Sequence, residues 1–262
     1  MQSRLPAGYE RIAVGRYRAV VRAGHRADAE AMLAEGTLYE AAARDLAART
    51  LSGRGIAYAI ALPVSGTCVV VRHNRHGGLF ARLTRDLFLA PTRAPYELAV
   101  ALRLAELGVR TPEVVMYGVH RVAPLLRRSD VVTREITRGR DLSTCMMPDA
   151  SPADREAAWA ATRDLVLALN AAGARHHDLN VKNILLAPAS RGMEAWVLDV
   201  DRVDFGEPGS VAVRKGNAER LLRSARKWRD LHGAVFDERE LAPLLRDASG
   251  HPPLDTRPHR HR

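Results

Sequence analysis

The sequence predicts an α+β protein of two lobes, β-rich in the first and reduced and helical in the second. Three observations carry this: β-rich runs gather before about residue 136, helical periodicity with clear end signals dominates after it, and a glycine turn, Gly53-Arg54-Gly55, opens the first lobe. The expected divisions are an N-terminal extension over 1–50, an N-lobe over 51–136 with glycine turn, hairpin and glutamate-bearing helix, and a C-lobe over 137–262.

Within residues 1–50 the pattern predicts a strand over Arg16–Arg22 and an alanine-rich helix from about Ala27 to Thr50. The runs Ile56–Leu62 and Thr67–Arg72 flank Pro63-Val64-Ser65-Gly66 and read as a hairpin. A helix follows over about Pro95–Leu107, because Leu98, Ala101, Leu102 and Ala105 share a face, Gly108 supplies the stop, and Glu97 lies in the first turn. The β-rich stretch Val131–Ile136 comes next. Ser151 as N-cap, Pro152 at the first helical position and Asp154 in a capping-box-like place begin another helix, which ends at Gly173. Ile184–Ala187 and Ala195–Val200 form a second hairpin around Pro188–Gly192, and a basic amphipathic helix from about Asn217 to Leu231 precedes the tail. This order leads us to expect a cleft between lobes, a common place for ligands.

Composition narrows the classes. With 47% hydrophobic residues the 262-residue chain has material for an ordinary core. No run approaches the roughly 18 apolar residues of a membrane span, and the start lacks the apolar core of a signal peptide, so a cytoplasmic protein is expected. Cys68 and Cys145 stand far apart without metal-ligand spacing and read as ordinary buried thiols. The net charge of +10 implies an acidic partner: nucleic acid, an anionic membrane surface or a phosphorylated substrate. Charge alone does not choose, and because only Lys182, Lys215 and Lys227 are lysines, the arginine excess reflects a GC-rich genome as readily as phosphate binding. Nucleic acid is not expected, since aromatic content is 5% and no basic motif is interleaved with aromatics.

The informative segment is His176-His177-Asp178-Leu179-Asn180-Val181-Lys182-Asn183-Ile184-Leu185-Leu186. Phosphoryl transfer from ATP needs a carboxylate to orient the acceptor hydroxyl, and an amide oxygen with a second carboxylate to hold magnesium on the phosphates. Asp178 fits the first role as the catalytic residue, while Asn183 and then Asp199, which follows the apolar run Trp196-Val197-Leu198, fit the metal-holding roles. Each element is weak alone; their order and spacing together are specific. They give a two-lobed, protein-kinase-like fold using ATP and Mg2+.

Further candidates follow from the same template. Gly53 and Gly55 would let backbone amides approach phosphates, although glycines before a hairpin also serve as plain turn formers. Arg72 ends a strand where a phosphate-binding lysine is normally placed, with Glu97 as its partner, and no lysine precedes Lys182. Thr133, Glu135 and Ile136 complete the nucleotide-binding candidates, and Asp201 and Arg202 are candidate acceptor contacts. No Ala-Pro-Glu marker follows Asp199, so a small or lipid-borne acceptor fits better than a protein.

On these residues the chain resembles the bacterial lipopolysaccharide core kinases, most closely the 3-deoxy-D-manno-octulosonic acid (Kdo) kinases, from about Leu51 to Lys227. The carriers are Gly53-Arg54-Gly55, Val71-Arg72-His73-Asn74-Arg75-His76-Gly77-Gly78-Leu79, Glu97 through Leu107-Gly108-Val109, His177-Asp178-Leu179-Asn180 with Asn183, and Asp199-Val200-Asp201-Arg202. Val200 and Asn74 stand where the family commonly has aromatics. The resemblance implies phosphorylation of a Kdo hydroxyl on lipid A by a protein peripheral to the cytoplasmic face of the inner membrane. Arg72, Arg75, Arg82 and Arg85, or Arg220, Arg223, Arg226, Lys227 and Arg229, would present basic surfaces to it. A phosphotransferase for a soluble alcohol of the aminoglycoside or choline type, and a catalytically silent kinase-shaped binding protein, are the alternatives.

Overall fold

The computed structural model describes residues 5–52, 55–73, 88–89, 92–121 and 126–245. It forms two compact units, Met1–Leu102 with Pro112–Glu135, and Arg103–Thr111 with Ile136–Arg262.

The first unit is built on an antiparallel sheet. Its strands are β1 (Tyr9–Val14), β2 (Tyr17–Arg22), β3 (Arg49–Ser52), β4 (Ile56–Ala61), β5 (Cys68–His73), β6 (Phe88–Leu89), β7 (Val114–Arg121) and β8 (Leu126–Arg134). They lie in the order β1-β2-β7-β8-β5-β4-β3, with β6 on β8. Helices α1 (Arg26–Ala34) and α2 (Leu38–Arg44) pack on the sheet, where Met32, Leu33 and Leu38 share a core with Ile12, Val21, Ile60, Val69, Val71, Val115 and Val132. Helix α3 (Ala94–Glu106) buries Leu98, Ala101 and Leu104 together with Glu97, so Leu104 takes the place expected of Ala105, which is exposed.

Two expectations are corrected here. The single helix from Ala27 to Thr50 is two helices followed by β3, and the unexpected strand β1 precedes them. Gly36 interrupts the helix at φ +142°, and Thr37 restarts it through a capping box: Glu40 N–H donates to Thr37 Oγ1 at 3.1 Å while Thr37 N–H donates to Glu40 Oε2 at 2.9 Å. Alanine supplies helix propensity but not continuity across such a break. Cys145 is buried as expected, but Cys68 is exposed, because side chains alternate along β5 and Val69 and Val71 are the ones facing the core.

The second unit contains β9 (Arg140–Asp141), α4 (Leu142–Cys145), α5 (Pro152–Ala171), β10 (Ala174–His176), β11 (Ile184–Pro188), β12 (Met193–Val197), β13 (Val203–Phe205), α6 (Val211–His232) and α7 (Ala242–Leu245). The strands form a three-stranded sheet, β12-β11-β9, and the pair β10-β13. Ser151 caps α5 by accepting from Asp154 N–H at 3.0 Å, and the helix buries Trp159, Val166 and Leu169. Strand β12 stops at Val197, short of the expected Val200, because Asp199 turns the chain into the left-handed region. Helix α6 starts earlier than the expected Asn217, with Ser210 as its cap. Among the described residues no helix is long and apolar enough to cross a membrane.

Candidate active site

The loop bearing Asp178 is held from both ends. After α5, Gly173 adopts φ +67° where an added Cβ would lie 2.4 Å from the Gly206 carbonyl, and Gly206 N–H donates to Gly173 O at 2.8 Å. This close approach sets β10 beside β13 and delivers His176, fully buried, at the head of the loop. His176 Nε2 lies 2.9 Å from Leu198 O, and Asp178 N–H donates to His176 Nδ1 at 3.1 Å. With a carbonyl on one nitrogen and an N–H on the other, the ring is neutral and protonated at Nε2. Burial agrees, pushing the His176 pKa below its ordinary value. One imidazole therefore ties Asp178 to the residue before Asp199.

Asn217, fully buried on α6, holds the same strand from behind. Its Oδ1 accepts from His176 N–H at 2.9 Å, and its Nδ2 donates to Asn170 Oδ1 and Ala174 O, both at 2.9 Å. Neither role is visible in the sequence: His176 is simply part of the motif there, and no local signal marks Asn217.

Within the loop, Asn183 Nδ2 donates to the Asp178 carbonyl at 2.8 Å, which leaves its amide oxygen as the atom presented elsewhere. Asn180, also without an expected role, organises the turn. Its Nδ2 donates to Asp178 O at 2.9 Å and lies 3.3 Å from Asp178 Oδ1, while its Oδ1 accepts from the N–H groups of Lys182 (2.9 Å) and Asn183 (3.2 Å). Leu198 N–H donates to Asn183 O at 2.9 Å, so Asn183 and Asp199 are tied as directly as Asp178 and Asp199.

Asp199 stands at φ 53°, ψ 45° and its side chain caps nothing. A left-handed conformation costs a non-glycine residue about 1–2 kcal/mol, and strained backbone of this kind gathers at functional sites. The following 3-10 turn, Val200–Arg202, contains the half-buried Asp201 and Arg202, and Arg202 Nε lies 4.0 Å from Asp201 Oδ2. His177 N–H donates to Arg202 O at 2.9 Å, and its Nε2 lies 2.7 Å from Asp204 Oδ2. An amide oxygen and a carboxylate are hard oxygen donors of the kind magnesium takes, usually one or two from protein with phosphate and water completing the shell. The residues fit that ion.

In the first unit, β5 carries Arg72 opposite Val131 of β8, and Arg72 Nη2 forms an ion pair with Glu97 Oε1 on α3. Glu97 is 2% exposed, so this carboxylate is compensated inside the protein. Gly55 directly precedes β4, whereas Gly53 and Arg54 lie outside the described residues, as do Asn74–Leu79, Arg82, Arg85 and the tail Arg257–Arg262. Thr133 pairs with Val70 in the sheet. Glu135 N–H donates to Cys68 O at 3.0 Å and its side chain pairs with Arg49, while Ile136 O accepts from Gly139 N–H at 3.0 Å. Asp178, Asn183, Asp199, Asp201 and Arg202 are thus gathered in the second unit, and Arg72 and Glu97 in the first.

The model of the lipopolysaccharide kinase (Kdo/WaaP) family matches residues 42–242. The chain belongs to this family. As a lipopolysaccharide kinase it is an ATP-dependent phosphotransferase of kinase-like α+β fold, as expected from the loop motif and element order. Among relatives, the 3-deoxy-D-manno-octulosonic acid kinase of Vibrio parahaemolyticus is 30% identical over 71% of this chain and 79% of its own. That of Stenotrophomonas maltophilia is 32% identical over 74% of this chain and 75% of its own. Among solved structures, WaaP in complex with acyl carrier protein is 21% identical with a TM-score of 0.48, covering 75% of this chain and 76% of that one.

Proposed function

We propose that this kinase transfers the γ-phosphate of ATP to a hydroxyl of Kdo on lipid A, working from the cytoplasmic face of the inner membrane. Its membership of the lipopolysaccharide kinase family and relatives named as Kdo kinases support the acceptor. The observation that carries the catalytic assignment is the buried His176, which binds both the Asp178 amide and the Leu198 carbonyl, so the backbone at Asp178 and at the residue before Asp199 is held by one side chain.

In this reading Asp178 accepts a hydrogen bond from the acceptor hydroxyl and takes its proton as the new oxygen–phosphorus bond forms and the bond to ADP breaks. Asn183 and Asp199 hold magnesium, and the bound ion supplies neutralisation of phosphate charge. Arg72, oriented by Glu97, offers the guanidinium that binds ATP phosphate oxygens in place of the missing lysine. Arg202 contacts the acceptor. Thr133, Glu135 and Ile136 serve the nucleotide through their strand-end positions.

Attachment to the anionic membrane is peripheral. On α6, Arg226 and Arg229 pair with Glu238, so the basic surface reduces to the exposed Arg220, Arg223 and Lys227. Each cation near such a surface adds about 1 kcal/mol, enough for reversible binding. The test is magnesium-dependent ATP turnover with an acceptor panel. Kdo-bearing lipid A is expected to stimulate turnover, and lipid A without Kdo, aminoglycosides and choline are not; stimulation by a soluble amino alcohol alone would overturn the proposal.

A further inference from the structure

We propose that Lys182 heads an acceptor subsite that takes the carboxylate of an acidic sugar; the idea rests on the reading that Kdo is the acceptor. Lys182 stands inside the loop that carries Asp178 and Asn183, and its backbone is fixed there by the 2.9 Å bond to Asn180 Oδ1. Its ammonium is fixed too. Nζ lies 3.0 Å from Asp141 Oδ2 and 5.0 Å from the ring centroid of Trp228 on α6.

Asp141 is itself a rigid anchor. Its Oδ1 accepts from the Ser143 hydroxyl and, at 3.0 Å each, from the Thr144 N–H and hydroxyl. Burial pushes the Asp141 carboxyl up, but the hydrogen bonds from Ser143, Lys182 and Thr144 outweigh it and hold the pKa below the ordinary value, so the anchor stays charged.

As a stabilising device this arrangement achieves little. The lysine side chain is 50% exposed, and an exposed ion pair is worth close to nothing once the ordering of a long side chain is counted. What it does achieve is an ammonium at a fixed place beside the catalytic loop, with one of three donors on Asp141 and water-facing surface left for a ligand. Binding an anion there would require little new ordering. The basic side chains nearby in the sequence are engaged differently: His177 Nε2 is 2.7 Å from Asp204 Oδ2, and Arg202 has Asp201 at 4.0 Å. Lysine also suits the task. In a chain with 40 basic residues of which three are lysines, this position has the compact charge that meets a single carboxylate without the fork geometry arginine imposes.

The experiment uses the full chain and Trp228 as reporter, one of only three tryptophans and the one beside the ammonium. The indole N–H resonance, assigned with Trp228→Phe, is followed while free Kdo or its carboxyl methyl ester is added. The parent is expected to give a saturable shift with the acid, binding the ester at least about tenfold more weakly, and to lose that preference at high salt. Lys182→Met, which keeps the stem over the ring, is expected to bind acid and ester alike; Lys182→Gln serves if it fails to fold. A parent without a saturable acid shift, or an acid preference that survives in the variant, overturns the subsite. A clear acid preference without phosphate transfer to Kdo-bearing lipid A would instead leave the subsite standing and remove the proposed acceptor.

Discussion

Replacing Arg72 separates two roles that its ion pair with Glu97 combines. Glu97 is 2% exposed and the Arg72 side chain 25%, so Arg72→Met takes from a carboxylate in the interior of the first unit its ion-pair partner on β5. Breaking such a pair from one side costs about 3–5 kcal/mol. At about 2–4 °C per kcal/mol for a chain of this size, the melting temperature should fall by roughly 6–20 °C. Replacing both residues, Arg72→Met with Glu97→Met, removes the buried charge along with its ion-pair partner, and stability should return close to the parent. ATP use should not return. Losing charge-assisted bonds to phosphate, each worth about 1.5–3 kcal/mol, lowers kcat/KM for ATP by roughly tenfold to a hundredfold in single and double variants alike. Thermal melts and ATP titrations on the three proteins decide the matter. A double variant that recovers both melting temperature and ATP kinetics would make the arginine a purely structural partner with no part in ATP binding.

Other outcomes follow from the buried network behind the loop. Asn217→Leu leaves the His176 N–H, Ala174 carbonyl and Asn170 oxygen without their partner, at about 1–3 kcal/mol each, and should destabilise strongly; a change in melting temperature of only a degree or two would contradict this. His176 is neutral when folded and its pKa lies below the ordinary 6.5, so the unfolded chain takes up the proton first as pH falls. Its contribution is therefore complete above about pH 6.5 and is lost progressively below it, at up to about 1.4 kcal/mol per pH unit. Half-buried His120, also shifted down by desolvation, adds a contribution of the same sign, whereas the carboxylates whose pKa is lowered act only at more acid pH. Melts between about pH 8 and pH 5 should show this slope. His176→Gln should flatten it, and an unchanged slope would count against the neutral imidazole.

What the sequence revealed was local. Ser151 with Pro152, the turn Pro63–Gly66 and the Asp178-to-Asn183 spacing announce themselves because cap, turn and loop are each decided within a few neighbouring residues. The Thr37–Glu40 capping box was equally local, and the alanine-rich surroundings hid it. Strand β1 was harder to find, since only Ile12 among its six residues is buried and no alternation develops. The supports of the site were out of reach in principle. Asn217 reaches its strand partners from 41 and 43 positions away, and Lys182 meets Asp141 from 41, so no window of sequence contains both ends. Nor does any pattern signal that Asp199 turns left-handed; the tether from Leu198 to His176 and Asn183 sets that conformation.

Everything proposed for the site turns on Asp178 directing phosphate from ATP onto the sugar. The most direct measurement supplies ATP labelled in its γ-phosphate, with magnesium and Kdo-bearing lipid A, to the parent and to Asp178→Asn, then releases the sugar by mild acid and counts label in each fraction. Label is expected in the sugar fraction for the parent, with at least about a hundredfold slower labelling for a folded Asp178→Asn. Label that stays with lipid A, or a folded variant that labels Kdo at the parent rate, would contradict it.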